Sequence, residues 1–300
     1  MIKQKQILLV GRSGFIGSYL HDKFKDDYRI TSVGYSSGLI EDDFHQLDLT
    51  KEKDVEIFSK QLPSCDILIF LVGLAHKKGN GKDFNKFQLV NKQTLINIVS
   101  MLQNINKLPR KLIFASTISI YGEKIDRDIY HEDSSKEPFS PYALTKLDAE
   151  NFLLKNFGTQ SWILRFAPVY APDFQLNIKR RTRVFGKFYR VGNGKKKLSL
   201  CNVENIGFAV QGILDDKIPS GIYNVSDENN YSYNDLIYYS NAKWILPIPH
   251  SLVKGLYYLG KLTNSIFLKE NSIKLISDNV FPSNKIRQHI QLPSKLETYK

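Results

Sequence analysis

The sequence predicts an α/β fold, a doubly wound parallel sheet with a smaller, partly interleaved C-terminal lobe. Three observations carry this expectation. Apolar runs of strand length alternate with segments of helical apolar spacing through the first half of the chain. A glycine triplet, Gly11, Gly14 and Gly17, follows the first of those runs and opens a helix. The alternation breaks near Pro168, and the remainder reads as loops, short strands and helices.

The elements follow in order. Gln6–Val10 is a short apolar run, and residues 15–24 place apolar side chains at helical spacing. Residues 29–33 include the β-branched Ile30, Thr31 and Val33 and read as a strand. Residues 65–71 form a continuous apolar run, as a strand buried on both faces should. Residues 84–102 read as a long helix, 111–115 as a strand, 141–157 as a helix and 162–166 as a strand. Beyond Pro168, residues 172–197 are loop-rich and basic, 205–214 helical and 221–226 strand-like; 233–268 are mostly helical. The expected division is a dinucleotide-binding domain over 1–168 and a substrate-binding lobe over 169–300, with roughly 198–226 returning to the sheet.

Bulk composition narrows the function. An apolar share of 42% with 24% charged residues is that of a globular chain. Two cysteines, Cys65 and Cys201, exclude a disulfide scaffold and point to a reducing cytoplasm. The six histidines are scattered, with no metal-ligand spacing, so no metal is expected. The apolar run at 67–75 is too short to span a bilayer, which takes about 20 residues. Residues 251–268 carry Lys254 and Lys261 among apolar side chains and read as an amphipathic helix on the core rather than on a membrane. The net charge of +12 is spread along the chain without a nucleic-acid motif, which suits anionic small molecules better than nucleic acid.

The motif Gly11-Arg12-Ser13-Gly14-Phe15-Ile16-Gly17 lets the chain turn tightly, admit a pyrophosphate and present helix N–H groups to it. The second strand ends Val33-Gly34-Tyr35-Ser36-Ser37, with no carboxylate to hold a ribose 2′-hydroxyl. NADP is therefore expected over NAD: Arg12 can pair with a 2′-phosphate, and Ser36 and Ser37 can donate to it. Asp48 and Leu49 are candidates for the adenine, with a simple turn as the plainer reading. Tyr-x-x-x-Lys occurs four times, from Tyr19, Tyr142, Tyr239 and Tyr257. Only the pair Tyr142 and Lys146 opens a helix after Ser140-Pro141 and follows the strand ending Ser116-Thr117. The spacing puts both side chains on one helix face, where the ammonium is expected to draw the phenol below its usual value near 10. Tyr142 is then the acid/base, Lys146 tunes it, and Thr117 shares the substrate oxygen. The other three pairs read as helix surface.

The triplet, the Ser116-Thr117-x-x-x-Tyr121-Gly122 run and Tyr142-x-x-x-Lys146 together resemble the extended short-chain dehydrogenase/reductase superfamily of nucleotide-sugar epimerases, dehydratases and reductases. The resemblance spans roughly residues 5–245 and implies a Rossmann-type fold and a homodimer through helices 84–102 and 141–157. It implies Val72, Gly73, Leu74, Ala167 and Val169 along the cofactor, and Asn91 and Ser119 near the sugar. Asn177 falls where the superfamily holds the sugar-nucleotide diphosphate. The stretch 192–212 resembles one that closes over the nucleotide. Leu198 replaces an arginine there, so the diphosphate passes to Lys197 or to Lys179, Arg180, Arg181 and Arg183, with a solvated loop the plainer reading. Thr117 is followed by Ile118 and Ser119, not by the Asp-Glu of the dehydratases. Residues 74–78 resemble reductases of 4-keto-6-deoxy-N-acetylhexosamine nucleotides, which makes His76 a sugar contact or a turn histidine. The expected activity is NADP-dependent reduction of a UDP-linked 4-keto sugar for surface polysaccharide. A UDP-sugar 4-epimerase holding NAD and a non-catalytic dinucleotide sensor are the rivals; a peripheral membrane component, resting only on the basic charge and residues 251–268, is a further reading, and membrane association is not expected.

Overall fold

The computed structural model describes residues 4–35, 43–74, 83–122, 124–125 and 127–296. The first strands and helices alternate: β1 (Gln6–Val10), α1 (Phe15–Phe24), β2 (Arg29–Gly34), β3 (Phe44–Gln46), α2 (Glu52–Gln61) and β4 (Ile67–Phe70). Then come α3 (Phe84–Gln88), α4 (Thr94–Asn104), β5 (Lys111–Thr117), α5 (Pro141–Phe157) and β6 (Ser161–Phe166). The expected helix over 84–102 is continuous but not uniform: a π turn, Leu89–Gln93, joins α3 to α4. Such a turn widens the helix locally and re-aims its side chains.

Later elements are shorter: β7 (Val169–Tyr170), α6 (Leu176–Thr182), β8 (Arg183–Val184), β9 (Lys187–Val191), β10 (Lys197–Leu198), β11 (Cys201–Asn202) and α7 (Val203–Leu214). They continue through β12 (Gly221–Val225), β13 (Tyr231–Ser232), α8 (Tyr233–Tyr239), β14 (Ile245–Ile248), α9 (His250–Leu262), α10 (Ile266–Ile276) and α11 (Asn284–Arg287). The main sheet has seven strands in the order β12-β6-β5-β4-β1-β2-β3. Every register from β3 to β5 is parallel. The order reverses between β1 and β4, the switch point at which such sheets open a crevice beyond their strand ends.

The chain divides into two compact units: residues 1–117, 140–164 and 219–222, and residues 118–139, 165–218 and 223–300. The first is built on Leu8, Val10, Leu68, Phe70, Leu112 and Phe114 of the strands, packed with Val55, Leu95, Leu102 and Leu153 of the helices. β4 is buried along its whole length, which explains its unbroken apolar sequence.

In the second unit the buried Asp227 carboxylate accepts hydrogen bonds from Tyr170 (2.7 Å), Tyr231 (2.9 Å), the Asn202 N–H (2.7 Å) and Asn205 (2.9 Å). Burial raises the Asp227 pKa against those four donors. Two tyrosines placed by sequence on helix surfaces are core residues here: Tyr239 packs with Tyr170 and Leu236, and Tyr257 with Ile273 and Ile276. Periodicity alone did not reveal which face of α8 or α9 meets a neighbour. A short strand, β14, also interrupts the expected helical stretch. Among the described residues no helix is long and apolar enough to cross a membrane.

Candidate active site

The site begins at the carboxyl end of β1. Gly11 has φ +102°, and a side chain there would meet Leu71 at 3.1 Å. Its N–H and that of Arg12 donate to Val33 O (2.8 and 3.1 Å), and the Gly14 N–H donates to Gly11 O (3.1 Å), so the loop is tied down. A Cβ on Gly17 would stand 2.2 Å from Gly11 O, so the start of α1 lies directly against the loop. Gly14 is the N-cap and offers no side-chain cap, while Phe15 and Ile16 open the helix. An uncapped helix start beside a glycine loop fits the pyrophosphate of a dinucleotide.

Ser13 Oγ lies 3.1 Å from the position a Gly34 Cβ would take, and Tyr35 beyond it is exposed. Ser36, Ser37 and His76 lie outside the described residues. Arg12 is 4% exposed, and its Nη2 sits 3.8 Å from Asp22 Oδ1 of α1. One Asp48 oxygen accepts from the Thr50 N–H (3.1 Å) and hydroxyl (2.6 Å), which makes a turn, and Leu49 is part of the core.

The three residues expected to carry chemistry meet within the first unit. β5 ends at Thr117, and α5 starts at Ser140, whose Oγ accepts from the Ala143 N–H at 3.4 Å, with Pro141 in the first turn. This start sets Tyr142 beside the strand end, and the Thr117 hydroxyl hydrogen-bonds its phenol. One turn on, Lys146 is buried, with Nζ 3.4 Å from Val72 O and 4.1 Å from the centroid of Phe114. A Cβ on Gly73 would stand 3.6 Å from that ammonium.

Two residues that sequence reasoning missed or misjudged hold this arrangement. Glu150, a further turn along α5, is fully buried and accepts from the Ser116 hydroxyl. It repeats the four-residue step of Tyr142 and Lys146, a signal that was there to be read. Asn91 is fully buried rather than open to a sugar. The Leu74 N–H donates to its Oδ1 (2.6 Å), and its Nδ2 donates to Thr145 Oγ1 (3.0 Å). The π turn thus ties the segment after β4 to α5, and so positions Val72, Gly73 and Lys146 together.

Electrostatics differ from expectation. Burial pushes the Tyr142 phenol up to about 12, opposed by the Thr117 hydrogen bond. Burial pulls the Lys146 ammonium down to about 7, opposed by the charge of Glu150. The ammonium therefore does not draw the phenol below its usual value. Desolvation outweighs the Thr117 hydrogen bond at Tyr142 and the charge of Glu150 at Lys146, and near neutrality the phenol keeps its proton.

The remaining expected residues lie in the second unit. Ser119 is in the short helix Ile118–Tyr121. The buried Ala167 donates its N–H to Val225 O (3.1 Å). Val169 pairs with Cys201, and Val169 O accepts from Asn177 Nδ2 at 2.8 Å. Lys197 is exposed on β10, with its N–H on Asp278 at 3.0 Å. Ile118 and Ser119 leave no carboxylate directly after Thr117. Among the described residues no group of His, Cys, Asp and Glu could hold a metal.

Comparison with known proteins bears on the family and the fold. A Vibrio cholerae UDP-glucose 4-epimerase is 25% identical over 267 residues, covering 82% of this chain and 79% of that protein. A Bacillus subtilis protein described as an uncharacterized UDP-glucose epimerase is 28% identical over 185 residues. That match covers 56% of this chain, which spans only 57% of the relative's length. The structure of UDP-glucuronic acid 4-epimerase from Bacillus cereus, in complex with UDP-glucuronic acid and NAD, shares the fold with a TM-score of 0.71 at 21% identity. That likeness covers 97% of this chain and 94% of the other. The model of the NAD dependent epimerase/dehydratase family matches residues 7–226, and the chain belongs to that family.

Proposed function

We propose that this protein reduces the C4 ketone of a 4-keto-6-deoxy sugar carried on a nucleoside diphosphate, UDP foremost, with NADP as its dinucleotide. The observation that carries the reading is the Thr117–Tyr142 hydrogen bond, with Lys146 one turn further along α5. The dinucleotide, bound at the Gly11–Gly17 loop and along Val72, Gly73 and Leu74, supplies hydride chemistry. The chain's own residues do the rest. With substrate bound, the Thr117 hydroxyl turns its single proton from the Tyr142 phenol to the sugar oxygen and orients it, and Tyr142 passes its own proton to that oxygen as charge develops there. A phenol that holds its proton at neutral pH is set up as a donor, the direction ketone reduction needs. Lys146, in its ammonium form, stabilises the phenolate left behind, and the charge of Glu150 opposes the loss of that proton. The absence of a carboxylate in Val33-Gly34-Tyr35-Ser36-Ser37 supports NADP. Asn177 and Lys197 are proposed at the diphosphate, and a homodimer through α4 and α5 belongs to the same reading.

A second reading, 4-epimerisation with retained NAD, is favoured by the 4-epimerase named among the relatives. The test is NADPH oxidation by purified protein supplied with UDP-4-keto-6-deoxy-N-acetylglucosamine, alongside Tyr142→Phe. Stoichiometric oxidation that falls by about 10²- to 10⁴-fold in the variant is the expected result. Protein that arrives with bound NAD and oxidises no added NADPH would replace the reductase reading with the epimerase one.

A further inference from the structure

Two stretches of the second unit contain no acidic residue. Residues 174–203 carry nine Lys and Arg, and residues 236–269 carry four lysines. The fold joins them: β9 from the first stretch pairs in parallel with β14 from the second, in a three-stranded sheet ordered β14-β9-β8. The result is a basic sheet with no acidic side chain on any of its strands.

The hairpin between β8 and β9 turns on Phe185-Gly186. Phe185 has φ +49°, and Gly186 has φ +77°. Two left-handed residues in a two-residue hairpin ask for Asn-Gly. A bulky aromatic there is strained, and this one contacts nothing in return, being 99% exposed. Register places a second exposed aromatic beside it. Ile245 is opposite Phe188, so Trp244, 88% exposed, lies at the β9 end that carries Lys187 and the hairpin tip. Lys187 and Lys243 flank the two rings and are themselves exposed.

We propose that the Phe185 and Trp244 edge docks on an anionic phospholipid surface. The chemistry is complementary in both parts. Aromatic rings with polar flanks settle at the headgroup boundary, and exposed lysines beside the rings, here Lys187 and Lys243, are attracted to anionic headgroups. A protein partner recognised by charge would find the same cations, but it would not explain a strained aromatic displayed at a turn apex. The docking does not depend on which sugar reaction the protein performs, and Phe185, Lys187, Lys243 and Trp244 are not among the residues assigned to that reaction.

The test uses the full chain with vesicles of phosphatidylglycerol and phosphatidylcholine, against phosphatidylcholine alone, near physiological salt. The chain has two tryptophans, and Trp162 is buried, so an emission shift on binding reports Trp244. Binding to the anionic vesicles with a blue shift is expected. It should weaken by about tenfold or more in Phe185→Asn, since the lost term is the burial of one aromatic ring. Asparagine suits the left-handed position, so this variant should fold at least as stably, and its thermal melt verifies that. Three results would overturn the proposal. One is no binding to anionic vesicles. Another is binding with neither an emission shift nor a change in Phe185→Asn, which is adsorption by net charge alone. The last is a dimer in free solution that buries Trp244 and dissociates in the variant, which assigns the edge to a second copy of the chain.

Discussion

Replacing Lys146 with methionine tests the electrostatics of the site through stability, without a substrate. The side chain is 2% exposed, and burial pulls its ammonium from 10.5 down to about 7. The unfolded chain keeps that proton until about pH 10.5, whereas the folded chain releases it near 7. Across that window the unfolded state binds more protons, so stability rises with pH. Between about pH 7 and about pH 9 the gain is about 2 kcal/mol, or a rise of about 4 °C in melting temperature for a chain of this size. The Lys146→Met variant has no such group, so its melting temperature should lack this rise. Burial also raises Cys65, to about 11, and Tyr142, but both act mainly above about pH 9 and are common to the two proteins. The measurement is circular-dichroism melting of both proteins at about pH 7, 8 and 9, reported as the difference between them. Parallel curves would refute the reasoning, because they would mean that Glu150 holds the buried ammonium at its ordinary value.

Glu150→Gln removes the charge that opposes the burial of Lys146, so the ammonium should fall further below 7 and activity should decline from a lower pH than in the wild type. A pH–rate profile reads this, and an unchanged alkaline limb with only a uniform loss of rate would reduce Glu150 to a structural partner of Ser116. Gly17→Ala places a methyl group 2.2 Å from Gly11 O, a backbone contact that cannot relax without moving α1. It should cost on the order of 1–3 kcal/mol and abolish dinucleotide binding, followed by melting with and without NADP and NAD; wild-type affinity would show that the loop does not bind the pyrophosphate.

Much of the first unit was legible because its strands are buried on both faces and its helices on one. Unbroken apolar runs such as Ile67–Phe70, set between helical segments, read as strands, and Gly11 and Gly17 are required where the loop turns and packs this closely. The Tyr142 and Lys146 pair could be selected from four alternatives because Ser140-Pro141 marks a helix start. Other features depend on which surfaces meet, and a one-dimensional pattern does not contain that. Tyr239 and Tyr257 became core residues because α8 and α9 turn those faces inward. Arg12 was turned against α1, and Asn91 was enclosed by the π turn between α3 and α4. The pKa values of Tyr142 and Lys146 moved opposite to the simple pair rule because desolvation is set by everything packed around a group, whereas spacing along a helix supplies only the charge term. The pairing of β14 with β9, which sets Trp244 beside the Phe185 turn, joins residues more than fifty positions apart in sequence and exists only in the folded chain.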